Sequence, residues 1–260
     1  MSLRVCVLAS SSSGNCTWIA SPTTAILVDA GLSARAILQR MEAIGADPRA
    51  VKAVAISHEH SDHISGIVRM QRLHGVALYA NEGTRQGIER DPAFQGLEWR
   101  QFSTGHAFEI GDLRISPFAV PHDAYDPVGF VIEHGGVALG IATDLGTPTS
   151  LIRERLRPCR ALILEANHDE HMLHLSRRPW PLKQRILGRQ GHLSNRLAAE
   201  MAAEIAGPGL TDIFLAHLSA ECNDPRAARE AVEESLRAAG HAHVRVRMTY
   251  PDKPGEIWEG

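Results

Sequence analysis

The stretch His58-Glu59-His60-Ser61-Asp62-His63 places five side chains of metal-binding type within six residues. The preceding run, residues 51–57, reads Val-Lys-Ala-Val-Ala-Ile-Ser and is typical of a strand. Ser61 and the later Gly66 favour a turn, so side chains two residues apart can converge after the strand ends. Imidazoles with a carboxylate suit Zn²⁺, Mn²⁺ or Fe rather than Mg²⁺ or Ca²⁺. Because an ordinary polar surface loop rarely has this composition, the stretch predicts a metal site at a strand end.

The composition predicts a folded chain in a reducing compartment. With 260 residues, 44% of them hydrophobic and 22% charged, we expect one domain covering residues 1–260. Four scattered cysteines without close pairs indicate reduced thiols rather than disulfides or a cysteine zinc site. No apolar stretch or leader pattern suggests a membrane or export, so we expect a cytoplasmic protein with no membrane partner. A net charge of −3 means that binding to nucleic acid would need a local basic patch.

Short β-rich runs alternate with amphipathic helical runs along the chain, which predicts two sheets packed together and covered by helices. The predicted strands are 3–9, 17–20, 25–29, 51–57, 76–79, 113–119, 129–133, 137–143, 162–165, 213–216 and 244–248. The predicted helices are 33–44, 64–73, 82–90, 149–156, 182–187, 194–205 and 225–239.

Three later residues, His122, Asp144 and His217, each follow a strand-like run. Taken singly each indication is weak, because a lone histidine after a strand is commonly structural or at the surface. Donors gathered from the ends of separate strands, however, are how a rigid scaffold fixes metal geometry, and a carboxylate such as Asp144 can bridge two ions.

The order of these residues, His-x-His-x-Asp-His followed by His, Asp and His, resembles the metallo-β-lactamase superfamily over nearly the whole chain. The resemblance implies an α/β (α+β) fold, an αββα sandwich of two mixed sheets flanked by helices. It also implies two divalent metal ions, Zn or Mn with Fe as an alternative, and a hydroxide between them as the nucleophile. The implied ligands are His58, His60 and His122 for one ion and Asp62, His63 and His217 for the other, with Asp144 bridging. Asp62 would also act in catalysis, by orienting the hydroxide or taking its proton.

The segments 164–167, 191–195 and 215–219 resemble the late motifs of ribonuclease Z and its relatives. The resemblance implies that His192 is a catalytic residue, acting as general acid or as a donor to phosphate. The alternative is a histidine at the start of a helix, beside the capping residue Ser194.

A closer resemblance is to the YycJ-like (WalJ-like) branch of single-domain enzymes, carried by Ser12-Ser-Gly-Asn-Cys16 and Glu165-Ala-Asn-His-Asp169. The chain is too short for the large inserted domain of ribonuclease J. Cys222 stands where the branch tends to have an asparagine, which leaves the hydrogen bonding near His217 open. This resemblance implies 5′-to-3′ exonuclease action on DNA.

The segment 168–189 combines several cations with Trp180, a pattern that suits phosphate contacts and base stacking. A solvated helix face is the alternative, since most charge runs are of that kind. The predicted substrate-binding residues are His168, Asp169, Arg177, Arg178, Lys183 and Arg185.

These observations predict a dinuclear metal-dependent hydrolase that cleaves phosphodiester bonds, a nuclease whose partner is a nucleic acid, DNA in preference to RNA. One alternative is a thioesterase or lactonase resembling glyoxalase II, because the same metal arrangement serves several substrates on this fold. Another is a metal-binding regulatory protein with little turnover. Against the latter, a structural zinc site is closed by four ligands and needs no second ion.

Overall fold

The computed structural model describes residues 2–260 and contains two sheets of seven strands each. The first sheet has the order β14-β1-β2-β3-β4-β5-β6. Its strands up to β3 pair in antiparallel fashion, and those from β3 to β6 pair in parallel. The strands are β1 Arg4–Ala9, β2 Cys16–Ala20, β3 Ala25–Val28, β4 Val51–Ala55, β5 Ala77–Ala80, β6 Trp99–Gln101 and β14 Trp258–Glu259.

The second sheet repeats this plan in the order β13-β12-β11-β10-β9-β8-β7. Strands β7 to β10 are antiparallel, whereas β10 to β13 are parallel. The strands are β7 Phe108–Ile110, β8 Leu113–Ala119, β9 Val128–His134, β10 Val137–Ala142, β11 Ala161–Glu165, β12 Asp212–Ala216 and β13 Arg245–Met248.

Nine α-helices lie between the strands within residues 2–260. Most begin at a polar residue whose side chain accepts a hydrogen bond from the first turn, as Ser194 and Asp224 do for the two longest. None of these helices is both long and apolar enough to cross a bilayer. The helices are α1 Ala34–Ala43, α2 Ser61–Ile64, α3 Ile67–His74, α4 Glu82–Ile88, α5 Ser150–Leu156, α6 Glu170–Leu175, α7 Trp180–Leu187, α8 Asn195–Ile205 and α9 Pro225–Ala238.

Three apolar layers hold these elements together. The middle layer lies between the sheets and unites residues such as Ile19 with Phe130 and Phe214. One outer layer packs α1 and α3 on the first sheet, and the other packs α5, α8 and α9 on the second. Each fully buried side chain of this size contributes about 1.5–3 kcal/mol. The predicted αββα sandwich of two mixed sheets is confirmed.

The structure differs from the predicted elements at three short edge strands, at helix α6 and at one glycine. Strands β6, β7 and β14 have only two or three residues each and α6 only six, too short for a clear apolar period. The helix predicted at 64–73 corresponds to α3, which begins after Gly66. Its first predicted residue, Ile64, is instead the end of the separate short helix α2. A Cβ atom at Gly66 would lie 2.4 Å from the Leu32 carbonyl oxygen, so this backbone contact requires glycine.

One edge of the sandwich collects the carboxyl ends of several strands. Strands β3 and β4 run parallel in the first sheet, and β10, β11 and β12 run parallel in the second. The segments that leave these strands therefore meet at the same edge, where an active site is expected in sheets of this kind. The residues that follow the strands there are Asp29, His58, Asp144, Ala166 and His217.

Candidate metal centre and active site

The histidine loop runs for five residues after β4 ends at Ala55 and then turns. His60 is still extended, with φ −63° and ψ 145°, and the short helix α2 starts at Ser61, so Asp62 and His63 lie in its first turn. The loop after β3 packs directly against this turn, because a Cβ atom at Gly31 would lie 1.6 Å from the Asp62 carbonyl oxygen. The extended stretch followed by a turn brings all the donors of the loop to one side.

Three imidazoles form a first donor set at His58, His60 and His122. The Nδ1 atom of His60 lies 3.1 Å from Nε2 of His58 and 3.3 Å from Nε2 of His122. Metal–nitrogen bonds of about 2.0–2.1 Å in a tetrahedron place ligand atoms about 3.3 Å apart. The spacing of these three nitrogens therefore fits a single bound cation.

A second donor set consists of Asp62, His63 and His217. The Oδ2 atom of Asp62 lies 3.4 Å from Nε2 of His63 and 3.4 Å from Nε2 of His217. Two of these residues come from the loop after β4, and the third comes from the end of β12 in the other sheet. This set therefore joins the two halves of the sandwich.

Asp144 lies between the two sets. Its Oδ2 atom is 3.2 Å from Nε2 of His63, and its Oδ1 atom is 3.8 Å from Nε2 of His122. Oδ2 is also buried and has no hydrogen-bond partner within residues 2–260. A buried carboxylate oxygen without a donor is costly unless a cation fills that role. The residues present thus fit two divalent ions, with Asp144 shared.

Backbone strain is concentrated at the same edge. Asp29, Asp144 and His217 have φ values of 58°, 55° and 57°, and they are the non-glycine residues of positive φ in residues 2–260. Each such conformation costs on the order of 1 kcal/mol and persists only where the surroundings enforce it. The strand ends therefore hold two of the predicted ligands in conformations that an isolated loop would avoid.

Asp29 is a candidate site residue that the sequence analysis did not name. Its Oδ2 atom lies 2.8 Å from Nδ1 of His63, and its carboxylate accepts hydrogen bonds from the Ser57 backbone and hydroxyl at 2.8 and 2.9 Å. A carboxylate on the far nitrogen of a ligating histidine fixes its ring and tautomer. The signal was present in the sequence, since Asp29 follows an apolar strand just as Asp144 does.

Glu165, named only as part of a motif, holds two histidines. Its Oε1 atom lies 2.8 Å from Nδ1 of His192 and 2.9 Å from Nδ1 of His217. Its Oε2 atom accepts hydrogen bonds from the backbone amides of Leu145 and Leu193. Burial alone would raise the pKa of Glu165, but the two imidazoles outweigh burial and lower it to about 2. Glu165 is therefore an ionised anchor at the centre of the site.

His192 lies next to the two donor sets that Asp144 joins, but it belongs to neither of them. Its ring centre is 5.3 Å from that of His122 and 5.2 Å from that of His217. Burial opposes its charged form, yet the Glu165 carboxylate raises the pKa of His192 above its ordinary value. The ring is partly exposed and lines a pocket of about 150 Å³ with Ser12, Asn167 and Ser219. Its side chain thus reaches both the metal centre and a space open to a ligand.

The loop 10–16, which carries part of the family resemblance, borders the candidate metal centre. The Nδ2 atom of Asn15 lies 3.1 Å from Oδ2 of Asp62, and the hydroxyl of Ser10 accepts a hydrogen bond of 2.7 Å from the His217 backbone. Cys222, by contrast, is buried in a small apolar cluster with Leu173 and Ile186. The residue that departs from the branch pattern therefore supports α6 and α7.

The predicted substrate-binding residues divide into two groups. Arg178 and Arg185 line the His192 pocket, where they form ion pairs with Glu221 and Asp123, and Arg177 is exposed. Lys183 is buried, and its ammonium donates hydrogen bonds to the carbonyl oxygens of His174 and Ser176 at 2.6 and 2.7 Å. A buried ammonium used in this way is unsuited to contact a substrate.

His168 is buried and Asp169 is half-buried, and neither is free to contact a substrate in the way that an exposed cation is. The carboxylate of Asp169 caps α6 through a 2.8 Å hydrogen bond from the Met172 amide. His168 is 1% exposed, and burial lowers its pKa to about 4. Both residues therefore stabilise the segment 168–189, while its arginines lie at the surface.

Comparisons with known proteins identify the family of the chain. The β-lactamase superfamily domain matches residues 24–213. The exodeoxyribonuclease YycJ of Bacillus anthracis is 34% identical over 99% of both chains, and the exodeoxyribonuclease WalJ of Streptococcus pneumoniae is 35% identical over 90% of this chain and 88% of its own. The metallo-β-lactamase fold protein YhfI of Bacillus subtilis superposes over 100% of both chains with a TM-score of 0.74 at 17% identity. The chain therefore belongs to the β-lactamase superfamily of metal-dependent hydrolases, in the branch of the exodeoxyribonucleases YycJ and WalJ.

Proposed function

We propose that the protein is a dinuclear nuclease that removes nucleotides from DNA in the 5′-to-3′ direction. The observation that carries this proposal is the pair of donor sets joined by Asp144, with His192 beside them at the wall of an arginine-lined pocket. The names of the relatives, both exodeoxyribonucleases, support DNA as the substrate. Buried free thiols at all four cysteines are typical of the cytoplasm, the compartment that we propose.

The proposed ligands are the two donor sets and Asp144, which would hold two ions of Zn or Mn. When bound, two divalent ions polarise a phosphodiester and lower the pKa of water to about 7. Asp62 orients the attacking water, because its carboxylate is held by Asn15 and its side chain is still 18% exposed.

His192 serves the leaving group. Glu165 keeps a proton on Nδ1 of His192 and stabilises the charged ring, so Nε2 can donate to the departing oxygen. Arg178 and Arg185 bind phosphates next to the scissile one. From this pocket an adjoining groove of about 570 Å³ runs past Arg185 and Arg189, giving the strand a basic path.

The test uses metal-loaded protein and oligonucleotides of DNA and RNA, single- and double-stranded, labelled at either end. We expect the 5′ label to appear at once in mononucleotides, while the 3′-labelled DNA shortens gradually. A ladder from the opposite end would reverse the polarity, and preferential loss of RNA would change the substrate. Hydrolysis of a thioester or lactone without cleavage of any nucleic acid would reject the nuclease assignment.

A further inference from the structure

An exposed aromatic side chain lies close to the candidate metal centre, on the loop that carries His122. Tyr125 is 50% exposed and belongs to the loop between β8 and β9, three residues after His122. Three residues span at most about 11 Å, so its Cα atom lies within that distance of the His122 Cα atom. At 3.4 Å of rise per nucleotide this distance corresponds to roughly three nucleotides of a strand.

The backbone around Tyr125 is fixed on both sides. Its amide donates a 3.0 Å hydrogen bond to Oε1 of Glu59, which lies between two proposed ligands in the histidine loop. The next residue, Asp126, accepts hydrogen bonds at its carbonyl from Asn81 and at its carboxylate from Thr104, at 2.7 and 2.9 Å. The backbone that carries the ring is therefore fixed before any ligand arrives, which lowers the entropic cost of binding.

Helix α4 approaches this loop through two glycines. A Cβ atom at Gly87 would lie 2.8 Å from Cδ2 of Tyr125, and one at Gly83 would lie 2.7 Å from Cβ of Asp126. Each glycine costs a helix about 0.5–1 kcal/mol relative to alanine. The close contact from α4 supports one side of the tyrosine, so the exposed half of the ring faces away from that helix.

Arg90 places a cation beside the Tyr125 ring, and these two side chains are called the platform below. Its guanidinium carbon lies 4.5 Å from the Tyr125 ring centre, and its side chain is exposed. In residues 2–260 Arg90, in the turn after α4, forms no ion pair, whereas Arg85 within α4 pairs with Glu82 and Glu89. An aromatic ring next to a free guanidinium is the combination that stacks a base and contacts its phosphate in single strands.

The same loop connects this platform to the pocket at His192. Asp123, two residues before Tyr125, lines that pocket and pairs with Arg185. We infer that Tyr125 and Arg90 bind a single-stranded part of the substrate, with an unpaired base on the tyrosine ring and a neighbouring phosphate on the arginine. This inference rests on the proposed nuclease function and adds a binding site on the His122 side of the metal centre.

The first test compares steady-state kinetics of the full, metal-loaded protein on single-stranded DNA and on bis(p-nitrophenyl) phosphate. We expect Tyr125→Ala to raise KM for DNA roughly 5- to 30-fold, in the lower range for base–aromatic stacking. Hydrolysis of the small diester should not change, and Tyr125→Phe should restore the KM. Tyr250→Ala is the matched control, since Tyr250 is 38% exposed under Lys253 but lines a separate groove between α9 and β13.

The second test places an abasic nucleotide at successive positions of the strand and measures binding by fluorescence anisotropy in chelator. At one position, loss of the base should weaken binding to the wild-type protein and have no further effect on Tyr125→Ala. Arg90→Ala should reduce the slope of log affinity against log salt by about 0.7, one phosphate contact to a single strand.

The outcomes separate this inference from the function on which it rests. If the wild-type protein cleaves DNA and Tyr125→Ala keeps its KM within about two-fold, the platform is rejected and the nuclease stands. Loss of small-diester hydrolysis in Tyr125→Ala would mark the ring as a support of His122 and would also reject the platform. If the wild-type protein cleaves no nucleic acid, both proposals fail together.

Discussion

The metal centre and the segment 168–189 lie next to each other but differ in what fixes their side chains. Five of the seven proposed ligands are buried. The Nδ1 atoms of His63 and His217 are held by the carboxylates of Asp29 and Glu165. In the segment, Arg185 is held by one ion pair at the surface, and Arg178 by one ion pair and a long 3.5 Å hydrogen bond to the Ser219 hydroxyl. A rigid scaffold therefore sets the ligand positions, while the segment can adapt to a strand.

Removing the shared ligand should have the largest effect, because Asp144 belongs to both halves of the metal centre. We expect Asp144→Ala to lower the bound metal from two ions per chain and to reduce turnover by far more than the roughly 10–100-fold loss typical of an outer partner. Elemental analysis and hydrolysis of bis(p-nitrophenyl) phosphate measure the two quantities. Asp252→Ala, at an exposed loop position, is the control. Two metals and full turnover in Asp144→Ala would contradict the bridging role.

Replacing His192 should have the second-largest effect, and it should lower turnover without lowering the metal content. We expect His192→Ala to retain both metals and to lose roughly 10²–10⁴-fold in turnover, the range for loss of a general acid. His171→Ala is the control, since His171 is exposed on α6. If the metal content falls together with turnover, His192 is a ligand. If turnover is unchanged, it serves only at the start of α8.

The sequence predicts a set of donors that the fold brings to one edge, because position and chemistry coincide there. Apolar β-rich runs locate the strands, and a ligand-type side chain directly after a strand needs no knowledge of its neighbours. All seven predicted ligands lie together for this reason, and Asp29 could have been added by the same argument. Glu165 is different, because its carboxylate meets His217 only through the parallel pairing of β11 with β12.

The roles of surface cations depend on residues far away in sequence. Arg178 pairs with Glu221, and Arg185 pairs with Asp123 from another part of the chain. The burial of Lys183 depends on how α6 and α7 pack, and α6 is too short to be predicted by period. The sequence therefore indicated a basic segment correctly but could not say which of its cations point outward.

Outer partners of the ligands should give an intermediate effect. Glu165→Gln removes the charge that holds both His192 and His217, so we expect about 10–100-fold weaker metal binding together with slower turnover per bound metal. Asp29→Asn acts on His63 and, through the Ser57 hydroxyl, on His58, but it does not contact His192, so it should weaken metal binding with normal turnover once metal is saturating. Metal titration followed by kinetics at saturation distinguishes the two. Equal turnover per metal in both variants would show that Glu165 does not act through His192.

The smallest effects should come from the segment 168–189. Replacing Arg178 should affect DNA binding, whereas replacing Lys183 should affect stability. Arg178→Ala and Arg185→Ala should each flatten the salt dependence of DNA binding by about 0.7–0.9 on a log–log plot while stability changes by about 1 kcal/mol or less. Lys183→Ala removes two charge-assisted hydrogen bonds inside the fold and should cost about 1.5–3 kcal/mol of unfolding free energy with an unchanged salt slope.

Oligonucleotide titrations between low and moderate salt measure the slope, and urea unfolding measures the stability. Arg229→Ala is the matched control, because Arg229 is also exposed and paired, with Glu233, but lies on α9 away from the His192 pocket. A flatter slope in Lys183→Ala would place its ammonium at the DNA surface and overturn the division drawn here. Unaltered slopes in both arginine variants would move the strand path from this segment to the β8–β9 loop and the turn after α4, where Tyr125 and Arg90 lie, because phosphates must be neutralised wherever the strand runs.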